Sequence, residues 1–140
     1  PADPAVDQSV AAAIDFEPMP EVRAAMVRTL AARGATGARE AVAERARDTR
    51  EALEVRVAAV QALGELCDRG EVQLLTDLAL RGRAPLSEAD RKLAIAALGS
   101  LARVAPDDLA TRLAPLAAEG VPPDVRDTAS RAQKAKERCR

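Results

Sequence analysis

Between Glu54 and Leu66 apolar residues fall three and four apart: Val55, Ala58, Ala59, Ala62, Leu63 and Leu66. That spacing lines one face of a helix, and Arg56, Gln61 and Glu65 take the more polar side. Val57 and Val60 lie off the stripe and widen it, as expected for a helix touched on more than one side. Gly64 and the alanines keep the side-chain layer thin, which lets helix axes approach toward the lower end of the usual range of about 8–10 Å. The pattern recurs upstream over residues 21–30 and downstream over 90–99, and more faintly over 124–129. Arg23, Arg56, Arg91 and Arg126 are spaced by 33, 35 and 35 residues, and Leu63-Gly64 returns as Leu98-Gly99. A period of that size marks stacked helix pairs.

Taken in order, residues 1–4 form a disordered lead-in, and residues 5–138 form a single repeat domain. A first helix over 5–16 carries Val6, Val10, Ala13 and Ile14 at helical spacing. It reads either as the second helix of a repeat cut away upstream or as a terminal cap. Pro20 suits the first turn of the next helix, where a missing N–H costs nothing. Repeats follow over about 20–48, 51–81 and 87–118, with a terminal helix over 122–138. Within them, the predicted helices cover 20–33, 38–47, 51–68, 71–81, 88–104 and 106–118. Ser87 is the expected cap of the 88–104 helix, with Asp90 three residues on in a relaxed capping box. Pro115 should bend or shorten the 106–118 helix. The longest connection is 81–86. The expected architecture is therefore all-α: an α-α superhelix of about three helix pairs with a flanking helix at each end, stacked into a slightly curved right-handed slab.

Composition agrees. Ala, Leu, Glu and Arg favour helix, and the 140 residues include one aromatic, Phe16, and no His, Trp or Tyr. The formal charge is −1, from 21 bases and 22 acids, so no global cationic field draws nucleic acid or acidic membrane. Arginine supplies 18 of the bases, which reflects either bidentate pairing with carboxylates or a biased base composition in the gene. Cys67 reads as a small structural residue and Cys139 as an exposed one in a polar tail, which suggests a reducing compartment and cytoplasmic residence. The basic end, 131–140, reads as a solvated cap or the stub of a longer chain. The first residue is Pro1 rather than Met, consistent with a processed or excised chain.

The units resemble HEAT repeats, in particular the short bacterial type also seen in the phycobilisome-lyase class. Val55-Arg56, Ala59, Ala62 and Leu63-Gly64 carry the resemblance best. Val22-Arg23, Ala25 and Leu30 match in part, as do Arg91, Ala94, Ala97 and Leu98-Gly99, where Asp90 replaces the valine. Val125-Arg126 and Ala129 match at the start only. The resemblance covers about 20–132. It implies that Arg23, Arg56, Arg91 and Arg126 support the stack by pairing with acids in turns, with Asp48, Asp77 and Glu119 as the acids. The other reading makes these arginines a ligand-facing ladder.

Catalysis finds little footing. Without histidine the usual neutral-pH base and metal ligand is missing. The pairs Asp107/Asp108, Glu51/Glu54 and Glu40/Glu44 are what helix starts and solvated faces carry. Residues 34–37 lack the length and the Lys-Ser/Thr ending of a phosphate loop. No enzyme activity, cofactor, metal or membrane span is expected. The preferred function is a non-catalytic protein-binding or scaffolding module, its inner face lined by the second helix of each pair. Candidate contacts are Arg39, Arg47, Gln73, Asp77, Arg81 and Arg112, and charge reversal at Arg81 and Arg112 is expected to weaken binding without lowering stability. Two alternatives stand beside it. One is sequence-nonspecific binding to a nucleic-acid backbone through Arg39, Arg45, Arg47 and Arg50, with Arg81, Arg83 and the basic tail elsewhere; the other is a structural fragment of a larger solenoid.

Overall fold

The structure is a computed structural model that describes residues 3–139. Those residues carry eight α-helices and no strand: α1 (Pro4–Ile14), α2 (Pro20–Ala32), α3 (Arg39–Arg47), α4 (Leu53–Glu65), α5 (Val72–Leu80), α6 (Glu88–Val104), α7 (Leu109–Leu113) and α8 (Pro123–Gln133). The disorder expected at residues 1 and 2 lies outside the described residues. The fold is all-α, with the helix-on-helix packing expected of stacked repeats. The helices fall into two compact units, one up to Leu66 and one from Cys67 onward.

Helix ends follow local chemistry. Asp3 Oδ1 accepts the Ala5 N–H at 3.0 Å, and Pro4 opens α1. Ser87 Oγ accepts the Asp90 N–H at 3.1 Å, and Asp90 reaches back to the Leu86 N–H at 3.1 Å. That satisfies one donor left over at the start of α6 and the N–H of the residue before its cap. Pro115 ends α7 after five residues, and the chain continues as a 3-10 turn over Ala114–Ala117. Besides the 106–118 helix, two predicted helices run too far at their C-terminal ends. The one expected to reach residue 68 stops at Glu65, because Cys67 takes a left-handed backbone at φ 54°. The terminal one stops at Gln133 rather than 138.

In the first unit α4 packs on α2 and α3, while α1 lies against α2 and the start of α3. The interface is built of small residues: Ala24, Ala43, Ala46 and Ala59 are fully buried beside Val27, Leu30, Val55 and Leu63. In the second unit α6 is the centre, packed by α5 and α8. The connection 81–86 is partly structured as a 3-10 turn over Arg81–Arg83, and Gly82 is buried in it. A Cβ on Gly82 would stand 2.7 Å from Ala94 Cβ and 2.9 Å from Val125 Cγ1, so this approach requires glycine.

The cysteine reading is overturned. Cys67 and Cys139 form a disulfide across 72 residues, and Cys139 is 4% exposed. The bond ties the end of the second unit down. Arg138 N–H donates to the Arg103 carbonyl at 3.0 Å, and Glu137 forms an ion pair with Arg69. Cys139 sits among charged neighbours in sequence, so hydropathy hides its burial; the tail folds back in space.

Candidate partner-binding surface

Three of the four repeat arginines hold helix ends together, each by a different acceptor. Arg23 is bidentate to Glu51, with Nη2–Oε1 at 2.6 Å and Nε–Oε2 at 3.1 Å, and its Nη1 donates to the Glu17 carbonyl at 2.8 Å. Arg56 is bidentate to the Ala46 carbonyl, at 3.1 Å from Nε and 3.0 Å from Nη2. Arg91 pairs with Glu88 and Asp124, and those hydrogen bonds raise its pKa. Arg126 is exposed on α8 and makes no such clamp among the described residues.

The acid in the first clamp is Glu51, not Asp48. Its side chain is 3% exposed, so the expectation of a solvated helix-start carboxylate fails. Burial pushes the Glu51 carboxyl up. Hydrogen bonds from Arg23 and the Ala52 N–H, with the charges of Arg23 and Arg45, outweigh that and hold it below the usual carboxylate range. Asp48 instead closes a turn, accepting the Arg50 N–H at 2.9 Å. Asp77 and Glu119 are exposed.

The six candidate contacts separate into distinct settings. On α3, Arg39 is half-buried and its Nε donates to the Leu66 carbonyl at 2.9 Å, capping the end of α4. Arg47 is exposed and pairs with Glu40 at 3.4 Å. Arg81 is exposed in its 3-10 turn, 4.0 Å from Asp90. The remaining three meet. Arg112 on α7 donates from Nε to Asp108 Oδ1 at 2.8 Å and from Nη1 to Gln73 Oε1 at 3.1 Å and Thr76 Oγ1 at 3.3 Å. Gln73 Nε2 donates in turn to Asp77 Oδ1 at 2.9 Å. The Arg112 hydrogen bond holds the Asp108 carboxyl below its ordinary range.

This polar chain joins α5 to α7, and Arg112 also lines an adjoining groove of about 410 Å³ with Val72, Val104 and Asp107. The sequence marks Asp108 only as a helix-start carboxylate and leaves Thr76 unmarked. The signal was available for Asp108, four residues before Arg112 on one helix face; Thr76 is four residues from its acceptor, Val72, and looks like core. Among the described residues no group of three His, Cys, Asp or Glu could hold a metal ion. No helix among them is long and apolar enough to cross a membrane.

The description of HEAT repeats matches residues 6–89, more than half of the chain. No curated protein and no solved structure matches it. The repeat spacing, the stacking of α2 on α4 and the family match agree: the chain belongs to the HEAT-repeat family.

Proposed function

We propose that this HEAT-repeat chain is a non-catalytic protein-interaction module whose contact surface is the polar face of α5 and α7. The observation that supports it best is the chain of hydrogen bonds from Asp108 through Arg112 and Gln73 to Asp77. Gln73 and Asp77 are exposed, and their positions are set before any partner arrives. Preorganised polar groups lose little freedom on binding, which favours recognition of a peptide or a domain surface. Arg81 stands at the end of α5 as a further contact, and Arg39 and Arg47 are separate candidates on α3 of the first unit. Arg112 carries a structural load as well, so reversing its charge should lower stability together with binding. Asp77, whose side chain is held by Gln73 alone among the described residues, is the cleaner probe.

A nucleic-acid backbone is less well served. Arg45 is spent on Glu51 at 3.3 Å, Arg47 on Glu40 and Arg50 on Asp48 at 3.7 Å, while Arg39 caps α4. A phosphate track needs uncompensated cations. As to place, the Cys67–Cys139 bond supports an oxidising compartment in preference to the cytoplasm.

The test is an affinity capture from the source lysate with wild type and Asp77→Arg, reading proteins by mass spectrometry and nucleic acid at two salt concentrations. A nuclease-resistant protein partner lost on Asp77→Arg, at an unchanged melting temperature, supports the reading. An eluate of nucleic acid alone, released by salt and indifferent to Asp77→Arg, overturns it.

A further inference from the structure

We propose that residues 134–139 form a redox-latched strap. The Cys67–Cys139 disulfide holds this segment as one wall of the groove beside Arg112, and reduction of the bond releases the strap and opens the groove. All of the residues concerned belong to the second unit.

Helix α8 ends at Gln133, and over residues 135–139 the chain runs without regular structure. Along 134–138 every residue except Ala135 is exposed. Beyond the last turn of α8, the polar contacts that hold 134–138 among the described residues are the hydrogen bond from the Arg138 N–H to the Arg103 carbonyl, at 3.0 Å, and the ion pair of Glu137 with Arg69. Both side chains of that pair are exposed, so water weakens it. Cys139 is the opposite case: it is buried, and its sulfur is bonded to Cys67. A covalent bond therefore fixes the far end of a segment that is lightly held along its length. Helix α8 does not depend on the strap, since Val125, Ala129 and Ala132 are buried and the helix packs on α6. Each residue set free regains conformational entropy, which one hydrogen bond and a solvated ion pair do not offset. Loss of the disulfide thus frees the strap and leaves the helices in place.

The groove of about 410 Å³ has Arg69, Val72, Val104 and Arg112 in its lining, and Glu137 is the strap's contribution to it. When the strap leaves, the groove loses that wall and Arg69 loses its acid, while Arg112 keeps Asp108. The use of the opened groove by a partner rests on the α5–α7 reading above; the release of the strap does not. Cys67 is half-buried, which gives a reductant an approach to the bond. The reductant is a dithiol. One of its thiolates attacks a sulfur of the disulfide to form a mixed disulfide, and its second thiol then displaces the protein sulfur. Two electrons and two protons pass from the dithiol to Cys67 and Cys139, which end as thiols, and the dithiol leaves as a disulfide. An oxidising compartment keeps the strap closed until such a dithiol is met.

The test follows amide exchange by NMR on the isotope-labelled chain before and after dithiothreitol, with phenylglyoxal labelling of arginines read by mass spectrometry. Reduction should speed exchange of the Arg138 amide by about tenfold or more, with the amides of α6 and α8 little changed. Labelling of Arg69 should rise several-fold, while Arg28, exposed in the first unit, stays as it was. The double variant Cys67→Ser/Cys139→Ser should reproduce both effects without reductant. Glu137→Gln in the oxidised chain should raise Arg69 labelling and leave the Arg138 amide protected. The proposal is overturned if that amide stays protected after reduction, if α8 loses protection along with it, or if dithiothreitol cuts the bond only in the unfolded chain. It is equally overturned if reduction leaves Arg69 labelling unchanged, since the groove would then not have opened. Each readout is made without a partner, so a failed capture with Asp77→Arg counts against the α5–α7 reading alone.

Discussion

Removing the Arg23 guanidinium tests the physical core of the first unit. In Arg23→Met the apolar stem is kept, and three hydrogen bonds are lost: two to Glu51 and one to the Glu17 carbonyl. Glu51 then remains 97% buried with a 2.8 Å bond from the Ala52 N–H and a 3.3 Å contact from Arg45 Nη1. Stripping one partner from a buried pair costs about 3–5 kcal/mol. Arg45 offsets part of that, so about 3 kcal/mol is expected. For a chain of this size that lowers the melting temperature by about 10 °C.

The assay is urea unfolding followed by circular dichroism, with Glu51→Met and the double variant Arg23→Met/Glu51→Met completing the cycle. The double variant should be more stable than Arg23→Met alone, because it leaves no unpaired carboxylate. The pH dependence has a definite sign. The folded-state pKa of Glu51 lies below its ordinary value, so the folded state holds fewer protons there than the unfolded chain does. The stability this contributes is present above about pH 4.5 and is lost as pH falls through the lowered folded value. In Arg23→Met that acid-side loss should shrink. A cost under 1 kcal/mol for Arg23→Met, or single-variant effects that simply add, would refute the clamp as the element that holds α2 to the start of α4.

Two further outcomes follow from the second unit. Cys139→Ser, or reduction of the wild type, should lower the urea midpoint, since closing a loop across 72 residues is worth at most about 4 kcal/mol in the chain-entropy account; two titratable thiols in the native, unreduced protein would contradict the bond. Gly82→Ala should destabilise by about 1–3 kcal/mol, because the new methyl meets Ala94 and Val125 and neither neighbour has a flexible end to swing away; a melting temperature equal to wild type would show that α8 yields freely.

Much of this protein is legible along the chain, because helix periodicity and helix ends are local. The 33-residue step from Arg23 to Arg56, the stripe of α4, the Ser87 cap and the shortening at Pro115 each depend on neighbours within a turn or two. The family resemblance rests on the same local signals, and the structural role of Arg23, Arg56 and Arg91 follows from it. What tertiary structure decided is which polar residue meets which. Glu51 and Glu54 look alike in sequence; one is sealed beneath Arg23 and Arg45 while the other faces water. Arg39 and Arg47 look alike on α3; one caps α4 and the other is exposed. Cys139 lies in a basic tail that hydropathy assigns to solvent, and only the return of that tail to Cys67 buries it. Spacing along a helix sets the direction of a side chain, but the partner it finds comes from a segment tens of residues away, and that meeting exists only once the helices have packed.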